Sequence, residues 1–383
     1  MSSNAQTPRT YVNTSVVADS NSSPSREPMA FHRLLAGYAP SRLAEAPDAA
    51  RALGIGRLLV KDESSRLGLP AFKILGASWA TYRALAERIG GFADWQTLDD
   101  LAGQLAPHGP LTLVAATDGN HGRAVARMAA LLGLSSRIYV PDDMAQARRD
   151  AIASEGAEVI VFHGTYDEAV ARSAEDADDQ HLVISDTSWP GYEDVPGWVI
   201  DGYSTILWEV DDALAAEGLP APNVVAVQIG VGALAAAVVA HYRRPDGARP
   251  MLVGVEPAHA AGMLASMEAG EIVSVPGPHD SIMAGLNCGA PSMLAWPIVS
   301  RATDIFVSVP DERAREAMRL LAADGVVAGE TGAAGLAGLL DLLTGPDADR
   351  YRALLGATPD ATALVIVTEG ATDPEAYARI VGA

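Results

Sequence analysis

The chain alternates short runs rich in β-branched residues with helical segments, and this alternation limits the folds that it can adopt. From residue 111 the runs LTLVAA, SRIYV, AEVIVF and HLVISD are separated by segments with a helical pattern. A second series, NVVAVQIG, MLVGVEP, DIFVSV and TALVIVT, begins at residue 223. Strands that alternate with helices form βαβ units and a parallel sheet. We therefore predict an α/β fold with two open, twisted, mostly parallel sheets flanked by helices.

The length and the N-terminal composition indicate how the chain is organised. Its 383 residues suggest two or three domains. Residues 1–30 are rich in Ser, Asn, Thr and Pro but lack a basic start followed by an apolar block, so they do not resemble a signal peptide. We expect this polar arm to be partly ordered or flexible.

The charge of the chain excludes several classes of partner. A formal net charge of −21 argues against nucleic acid or anionic lipid as a partner, so an anionic ligand has to be held by a local device such as backbone amides. No apolar run is long enough to cross a bilayer. The single cysteine, Cys288, excludes an intramolecular disulfide and a multi-cysteine metal site. We expect a soluble, cytoplasmic protein that binds no metal, no nucleic acid and no membrane.

Lysine is rare in this chain, and one of its lysines lies in an unusual setting. Of the 27 basic residues only Lys61 and Lys73 are lysine, and Lys73 lies in the otherwise uncharged segment GLPAFKILGA. The apolar spacing that follows predicts a helix from Lys73 to about Gly90, and the positive end of a helix disfavours a protonated amine. Lysine, unlike arginine, can lose its proton and form a Schiff base. The alternative is a lysine whose stem lies on the core and whose ammonium reaches water.

Two glycine-containing loops follow predicted strands. In ATDGNHG (116–122) the backbone amides would point at an anion such as a carboxylate, with Asp118 and Asn120 at the same edge. In QIGVGAL (228–234) the backbone amides suit a phosphate group. This loop lacks the third glycine of a dinucleotide fingerprint and the lysine of a Walker loop, which favours a mononucleotide-type phosphate. The alternative for the first loop is a helix-capping turn.

A third loop, VTEGATD (367–373), closes the last predicted strand. The hydroxyl of Thr368 would emerge at the sheet edge, where it can hydrogen-bond a ring nitrogen, although a threonine at this position is often only a cap. A lone lysine, an anion turn, a phosphate loop and a terminal hydroxyl together describe a site for pyridoxal phosphate.

The order of these motifs resembles that of the fold type II pyridoxal phosphate enzymes, which include threonine dehydratase. Longer segments resemble the diaminopropionate ammonia-lyase family, and the resemblance runs from about residue 31 to the C-terminus. These segments are FHRLLAGYAPSRL, LLVKDESSRLGLPAFKILGA, TDGNHGRAVA, SDTSWPGYEDVPGWVIDGY, SIMAGLNCG, ETGAAGL and VTEGATD.

The resemblance implies a domain organisation, a homodimer and a set of site residues. A large cofactor-binding domain would comprise residues 31–78 and 206–383, and a small substrate-closing domain residues 79–205. Cofactor contacts would come from Lys73, Asn120, Gly230, Val231, Gly232, Ala233 and Thr368. The substrate carboxylate would be bound by Thr117, Gly119, Asn120 and His121.

Two aspartates distinguish the chain from threonine dehydratases. Asp118 precedes Gly-Asn-His, where those enzymes usually carry a small residue, and Asp186 lies in SDTSWPGY. Two carboxylates beside a cofactor can bind a β-ammonium group and move protons. Together with Lys73 they are the predicted catalytic residues for eliminating ammonia from 2,3-diaminopropionate, giving pyruvate and two ammonia. The alternative for Asp186 is an ordinary turn-initiating residue.

Three other functions remain open at this point. The usual glycine after the phosphate loop is replaced by Ala235 and Ala236, which leaves room for a serine/threonine dehydratase-like lyase acting on another β-substituted amino acid. A nicotinamide oxidoreductase would use the glycine loop near residue 230 and Glu256 as its ribose ligand. A non-catalytic protein that retains the fold is the third.

Overall fold

The structure, a computed structural model, describes residues 8–17, 23–117, 119–142, 144–164 and 166–382. The chain divides into two compact units. Unit 1 comprises Met1–Pro24, Pro40–Ser65 and Ile206–Ala383, and unit 2 comprises Ser25–Ala39 and Arg66–Thr205.

The described residues form eleven strands and fifteen α-helices. The strands are β1 (Thr10–Val12), β2 (Leu43–Glu45), β3 (Arg57–Asp62), β4 (Thr112–Ala116), β5 (Ser135–Pro141), β6 (Glu158–Phe162), β7 (His181–Val183), β8 (Val224–Gln228), β9 (Met251–Pro257), β10 (Ile305–Val309) and β11 (Thr362–Val367). The helices are α1 (Glu27–His32), α2 (Pro47–Leu53), α3 (Lys73–Ile89), α4 (Leu98–Leu105), α5 (Asn120–Leu131), α6 (Gln146–Ala153), α7 (Tyr166–Ala174), α8 (Asp194–Glu217), α9 (Ala233–Tyr242), α10 (Gly262–Ala269), α11 (Trp296–Ala302), α12 (Asp311–Ala323), α13 (Ala334–Thr344), α14 (Ala348–Leu355) and α15 (Pro374–Val381). In the described part of the chain, no helix is both long enough and apolar enough to cross a membrane.

Unit 1 is built on a seven-stranded sheet with the order β1-β10-β9-β8-β11-β3-β2. The five central strands are parallel, and the two edge strands, β1 and β2, pair antiparallel with their neighbours. Helix α13 packs on β8, β9 and β10, and its apolar residues join the buried core of the sheet. The central strands are buried on both faces, which explains why their sequences are continuous apolar runs.

Unit 2 carries a four-stranded, fully parallel sheet with the order β6-β5-β4-β7. Its core is formed by apolar side chains from the strands and from α7, including Val114, Tyr139 and Val170. Helices α5 and α7 pack against this sheet, and α3 packs against α5. Both sheets confirm the α/β fold with mostly parallel strands that the alternating sequence pattern predicts.

Part of the N-terminal arm has regular structure. Thr10, Tyr11 and Val12 form β1 and pair with β10, while residues 27–32 form helix α1. Residues 1–7 and 18–22 lie outside the described residues. The isolated sequence TYV carries no pattern that distinguishes a strand, so its pairing depends on the neighbouring sheet.

The two compact units and the domains expected from the sequence share a boundary near residue 205. They differ over residues 31–39 and 66–78, which the prediction assigns to the large domain and which pack with unit 2. Helix α3 explains the grouping of residues 66–78, because it runs without a break from Lys73 to Ile89, so a boundary at residue 78 would fall inside it. The assignment of residues 79–205 as a substrate-closing domain stays a prediction.

Two glycines allow helices α3 and α8 to approach closely next to Lys73. A Cβ at Gly76 would lie 2.5 Å from the Tyr203 ring, and a Cβ at Gly202 would lie 2.5 Å from the carbonyl oxygen of Leu75. Neither distance is compatible with a side chain, so both positions require glycine. The contact fixes the first turn of α3 and therefore the backbone that carries Lys73.

We expect Gly202→Ala to lower the free energy of unfolding by about 1–3 kcal/mol, because the added methyl group forces two helix backbones apart. Gly103→Ala is the matched control, since no atom lies within 4 Å of its added Cβ and the residue is inside helix α4. The control should gain about 0.5–1 kcal/mol from helix propensity. Urea unfolding of both variants measures the difference, and equal effects would contradict the proposed close packing.

Candidate active site

Lys73 is the first residue of α3, as the sequence pattern predicts. Its Nζ donates a hydrogen bond to Oδ2 of Asp186 at 2.6 Å. The two side chains are 19% and 4% exposed, so the ion pair is largely shielded from water. Two of the three residues predicted to be catalytic, 113 positions apart in sequence, are thus in direct contact.

Asp186 lies just after β7 and is ionised by its neighbours. Burial opposes ionisation, but the Lys73 ammonium outweighs it and holds the pKa of Asp186 well below its usual range. The hydroxyl of Tyr166 also donates to Oδ1 of Asp186 at 3.3 Å. The helix N-terminus at Lys73 disfavours a positive charge, whereas the Asp186 carboxylate 2.6 Å away attracts one, so the two act on this amine in opposite directions.

The buried ring of His121 lies next to the Asp186 carboxylate. Its Nε2 lies 2.8 Å from the carbonyl oxygen of Ile184, which can only accept, so Nε2 carries the proton. Nδ1 has no hydrogen-bond partner among the described residues and lies 4.0 Å from Oδ2 of Asp186. Burial lowers the pKa of His121, which favours the neutral ring. A contact of His121 with a substrate carboxylate would therefore have to come from its backbone amide.

The turn before α5 is held by Thr117. The Thr117 hydroxyl accepts from the amides of Gly119 and Gly122, both at 2.9 Å, and the Thr117 amide donates to Tyr139 O at 3.0 Å. Gly119 has φ +145°, a conformation that side chains disfavour. The amides of Thr117 and Gly119 therefore already have acceptors, and the start of α5 at Asn120 is the better-placed donor for a carboxylate. Asp118 lies outside the described residues.

The loop before α9 forms a cradle of backbone amides. Among the described residues, no acceptor binds the amides of Gly230, Val231, Gly232 or Ala233, and the N-cap residue Gly232 has no side chain to do so. A Cβ at Gly230 would lie 3.1 Å from Gly285 O, and one at Gly232, where φ is +102°, would lie 3.0 Å from the Ala295 side chain. Consecutive unpaired amides at a helix N-terminus fit a phosphate group.

Thr368 directly follows β11, at the C-terminal edge of the unit 1 sheet. It is 2% exposed, and its hydroxyl lies 2.7 Å from Nε2 of Gln228. Gln228 ends the neighbouring strand β8 and lies two residues before Gly230. The structure therefore places the predicted ring-nitrogen partner beside the predicted phosphate loop.

Glu256 does not suit the role of a ribose ligand. Its two carboxyl oxygens accept hydrogen bonds from the amides of Met263 and Leu264 at 2.8 Å, which caps helix α10. The side chain is 1% exposed, and burial raises its pKa to about 8. The nicotinamide oxidoreductase hypothesis therefore loses the acidic residue that it requires.

Lys61, the other lysine of the chain, has a structural role. Its Nζ donates to Oε2 of Glu209 at 2.6 Å and to Ser41 O at 2.9 Å. Lys61 and Glu209 are 1% and 2% exposed. The Lys61 amine is buried and engaged by a carboxylate and a carbonyl oxygen, so it is not accessible as a nucleophile.

Each unit by itself supplies groups that fit pyridoxal phosphate. In unit 1 the unpaired amides of Gly230–Ala233 would hold the phosphate and the Thr368 hydroxyl would contact the ring. In unit 2 Lys73 offers an amine for a covalent link. Within the described part of the chain, no group of His, Cys, Asp and Glu side chains could hold a metal ion.

Comparison with known proteins agrees with this assignment. Residues 34–356 match the family described as pyridoxal-phosphate dependent enzyme. The diaminopropionate ammonia-lyase of Escherichia coli (strain K12) is 38% identical over 361 residues, covering 92% of this chain and 89% of the relative. That of Salmonella typhimurium is 35% identical over 378 residues, covering 94% and 92%. A crystal structure of the E. coli enzyme in complex with D-serine aligns with a TM-score of 0.89 at 34% identity, covering 98% of this chain and 97% of that chain.

The chain is therefore a pyridoxal phosphate-dependent enzyme of fold type II. Within this class it belongs to the diaminopropionate ammonia-lyase family.

Sequence reasoning missed two residues of the site, Tyr166 and Gln228. Tyr166 begins α7 and contacts Asp186 from a position 20 residues away in sequence. Gln228 contacts Thr368 from a distance of 140 residues. The only available signal was the position of Gln228 at the end of a strand that precedes a glycine loop.

Proposed function

We propose that this enzyme eliminates ammonia from 2,3-diaminopropionate and that the product is then hydrolysed. One substrate molecule and one water give one pyruvate and two ammonia. The observation that carries the proposal is the carboxylate of Asp186, 2.6 Å from the Lys73 amine. Loss of ammonia requires the leaving nitrogen to be protonated, and a carboxylate favours an ammonium group beside it, whereas a lyase acting on a hydroxy amino acid has no second amino group to bind.

The bound cofactor supplies the electron sink that makes the α-proton acidic. Lys73 would bind the cofactor and, once its amine is released by the substrate, take up the α-proton. The ionised Asp186 would bind the β-ammonium group by charge, so that the nitrogen takes the electron pair of the broken C–N bond and leaves as neutral ammonia with the three protons that it already carries. The burial of both side chains excludes water and strengthens these interactions.

The remaining site residues have proposed roles in binding. The amides of Gly230–Ala233 bind the cofactor phosphate, Asn120 contacts its ring oxygen, and Thr368 contacts its ring nitrogen. The amides at the start of α5 bind the substrate carboxylate. Asp118 is proposed as the second acidic group, so that Lys73 and an aspartate serve substrates of opposite chirality.

The test compares L- and D-2,3-diaminopropionate with L-serine and L-threonine. We expect turnover of diaminopropionate with two ammonia released per pyruvate, measured in the same reaction. Serine, which has one amino group, can release only one ammonia per pyruvate. Turnover of serine and threonine without turnover of diaminopropionate would instead support the dehydratase-like alternative.

We further propose that the protein acts in the cytoplasm as a homodimer. The single cysteine is consistent with a reducing compartment. Light scattering of the purified protein measures the oligomeric state, and a mass near 39.8 kDa, that of one chain, would contradict the dimer.

A further inference from the structure

Gln228 links two parts of the cofactor site that lie on neighbouring strands. It is the last residue of β8, and Thr368 directly follows β11, which pairs with β8 in parallel. Carboxyl ends of parallel strands meet at the same sheet edge, so the two side chains project from one edge, next to the loop Gly230–Ala233. Gln228 is 3% exposed and therefore part of the interior.

The amide group of Gln228 has only one favourable orientation. Its Nε2 lies within hydrogen-bond distance of the carbonyl oxygens of Thr331 (3.1 Å) and Ile366 (3.0 Å) and of the Thr368 hydroxyl (2.7 Å). Carbonyl oxygens only accept, so the nitrogen must face them, because a flipped amide would place an oxygen against two oxygens. Oε1 of Gln228 is buried without a partner among the described residues.

This orientation determines the direction of the hydrogen bond to Thr368. The Gln228 nitrogen cannot accept, and of the three oxygens that share its two N–H groups the Thr368 oxygen is the nearest at 2.7 Å, so the Thr368 hydroxyl accepts from it. The hydroxyl proton of Thr368 then points elsewhere. In the described part of the chain, the contact with Gln228 is the only hydrogen bond of this hydroxyl, so its proton has no acceptor there.

We propose that Gln228 is a positioning residue that fixes the Thr368 hydroxyl as a donor and thereby selects an unprotonated pyridine nitrogen in the cofactor. The inference rests on the proposed contact between Thr368 and the ring nitrogen. An unprotonated ring nitrogen can accept a hydrogen bond from the Thr368 hydroxyl. A protonated nitrogen would compete for the hydroxyl oxygen and leave the hydroxyl proton without an acceptor.

If Gln228 had a purely structural role, its replacement would have a different effect on the protonation of the ring. The side chain would then serve only to satisfy the carbonyl groups of Thr331 and Ile366, and its loss would lower stability without changing the protonation of the ring. The protonation state of the ring nitrogen therefore separates the two roles, and turnover alone does not.

The experiment uses the holoenzyme loaded with cofactor that carries 15N at the ring nitrogen. Its 15N chemical shift is followed against pH in the wild type and in Gln228→Met, which fills a similar volume without a donor. We expect the wild-type nitrogen to stay unprotonated throughout the accessible range. In Gln228→Met the hydroxyl can turn its proton toward the vacated carbonyl of Ile366, so the nitrogen should titrate at a higher pH.

Three further variants make the result decisive. Thr368→Ser keeps the hydroxyl and should titrate like the wild type, whereas Thr368→Val should shift the signal toward that of a pyridine without a hydrogen bond. Gln228→Glu, which is isosteric, serves if Gln228→Met does not fold. Its carboxylate would accept from the Thr368 hydroxyl, and the ring should be protonated over a wider pH range.

The outcomes separate the inference from the function on which it rests. If the Gln228 variant that folds titrates like the wild type while Thr368→Val differs, the role of Gln228 is overturned and the role of Thr368 stands. If Thr368→Val also leaves the signal unchanged, the assignment of Thr368 to the ring nitrogen fails, and the inference fails with it. Neither result depends on whether diaminopropionate is the substrate.

Discussion

Replacing Lys73 with arginine is expected to reduce the turnover of diaminopropionate by about 10⁴-fold or more, because the variant loses a nucleophile and a base at once. Arginine keeps the positive charge, so it can keep the ion pair with Asp186, but it forms no covalent link with the cofactor. The fold should therefore survive. The measurement is kcat together with the visible absorbance of the lysine-bound cofactor, which should be absent.

The wild-type enzyme supplies an internal control for this prediction. Borohydride reduction fixes the cofactor to its lysine, and the chain offers only two lysines. Lys61 is buried in its pair with Glu209, so the label should appear on the peptide that contains Lys73. A label on the Lys61 peptide, or full turnover by Lys73→Arg and Lys73→Ala, would refute the assignment.

Replacing Asp186 with asparagine is expected to lower kcat for diaminopropionate by about 10²- to 10⁴-fold, the usual effect of losing a general acid or base. Asparagine has nearly the same shape, so its contacts with Lys73 and Tyr166 can remain while the charge is lost. If Asp186 binds the β-ammonium group, KM should rise as well. Steady-state kinetics with both isomers of the substrate measure these effects.

Asp176→Asn is the matched control for this variant. The Asp176 side chain is 9% exposed and pairs with Arg137 and Arg172 within unit 2, without contact to Lys73. Its replacement should lower stability and leave kcat nearly unchanged. Equal losses of kcat in the two variants would show that Asp186 acts only through the stability of the unit.

The stability of the cofactor-free protein gives a second measurement on Asp186. Its pKa is lower in the folded than in the unfolded chain, so its ion pair stabilises the fold above the unfolded pKa of about 4. This stability is lost as the pH falls through the folded pKa. The difference in Tm between the wild type and Asp186→Asn should therefore be largest near neutral pH and shrink below about pH 4.

The sequence predicted those parts of the fold whose residues carry a local pattern. Strands β4 to β11 lie within short runs rich in β-branched or other apolar residues, which are mostly buried except in β6, and helix α3 shows regular apolar spacing from Lys73, so both follow from the sequence pattern. β1 and β2 have three residues each and no such pattern. Their pairing is decided by the neighbouring strands, which sequence reasoning cannot place.

Candidate site residues could be selected from the sequence where the proposed function requires a particular residue type at the end of a strand or the start of a helix. Lys73, Asp186, the glycine loop and Thr368 belong to this group. Tyr166 and Gln228 were missed because their roles arise from contacts across 20 and 140 residues. His121 shows a different limit, because its polarity suggested a ligand contact, whereas its ring lies inside the unit and donates to a backbone carbonyl.

The short antiparallel strands β1 and β2 also bear on how the protein avoids aggregation. A parallel sheet that ended at β10 or β3 would present a long row of unpaired backbone groups, to which another chain could add a strand. Each of these strands is covered instead by three residues, too few to offer a long template. A chain shortened to begin at residue 23 would uncover β10, and the N-terminal arm thus protects the sheet from intermolecular association.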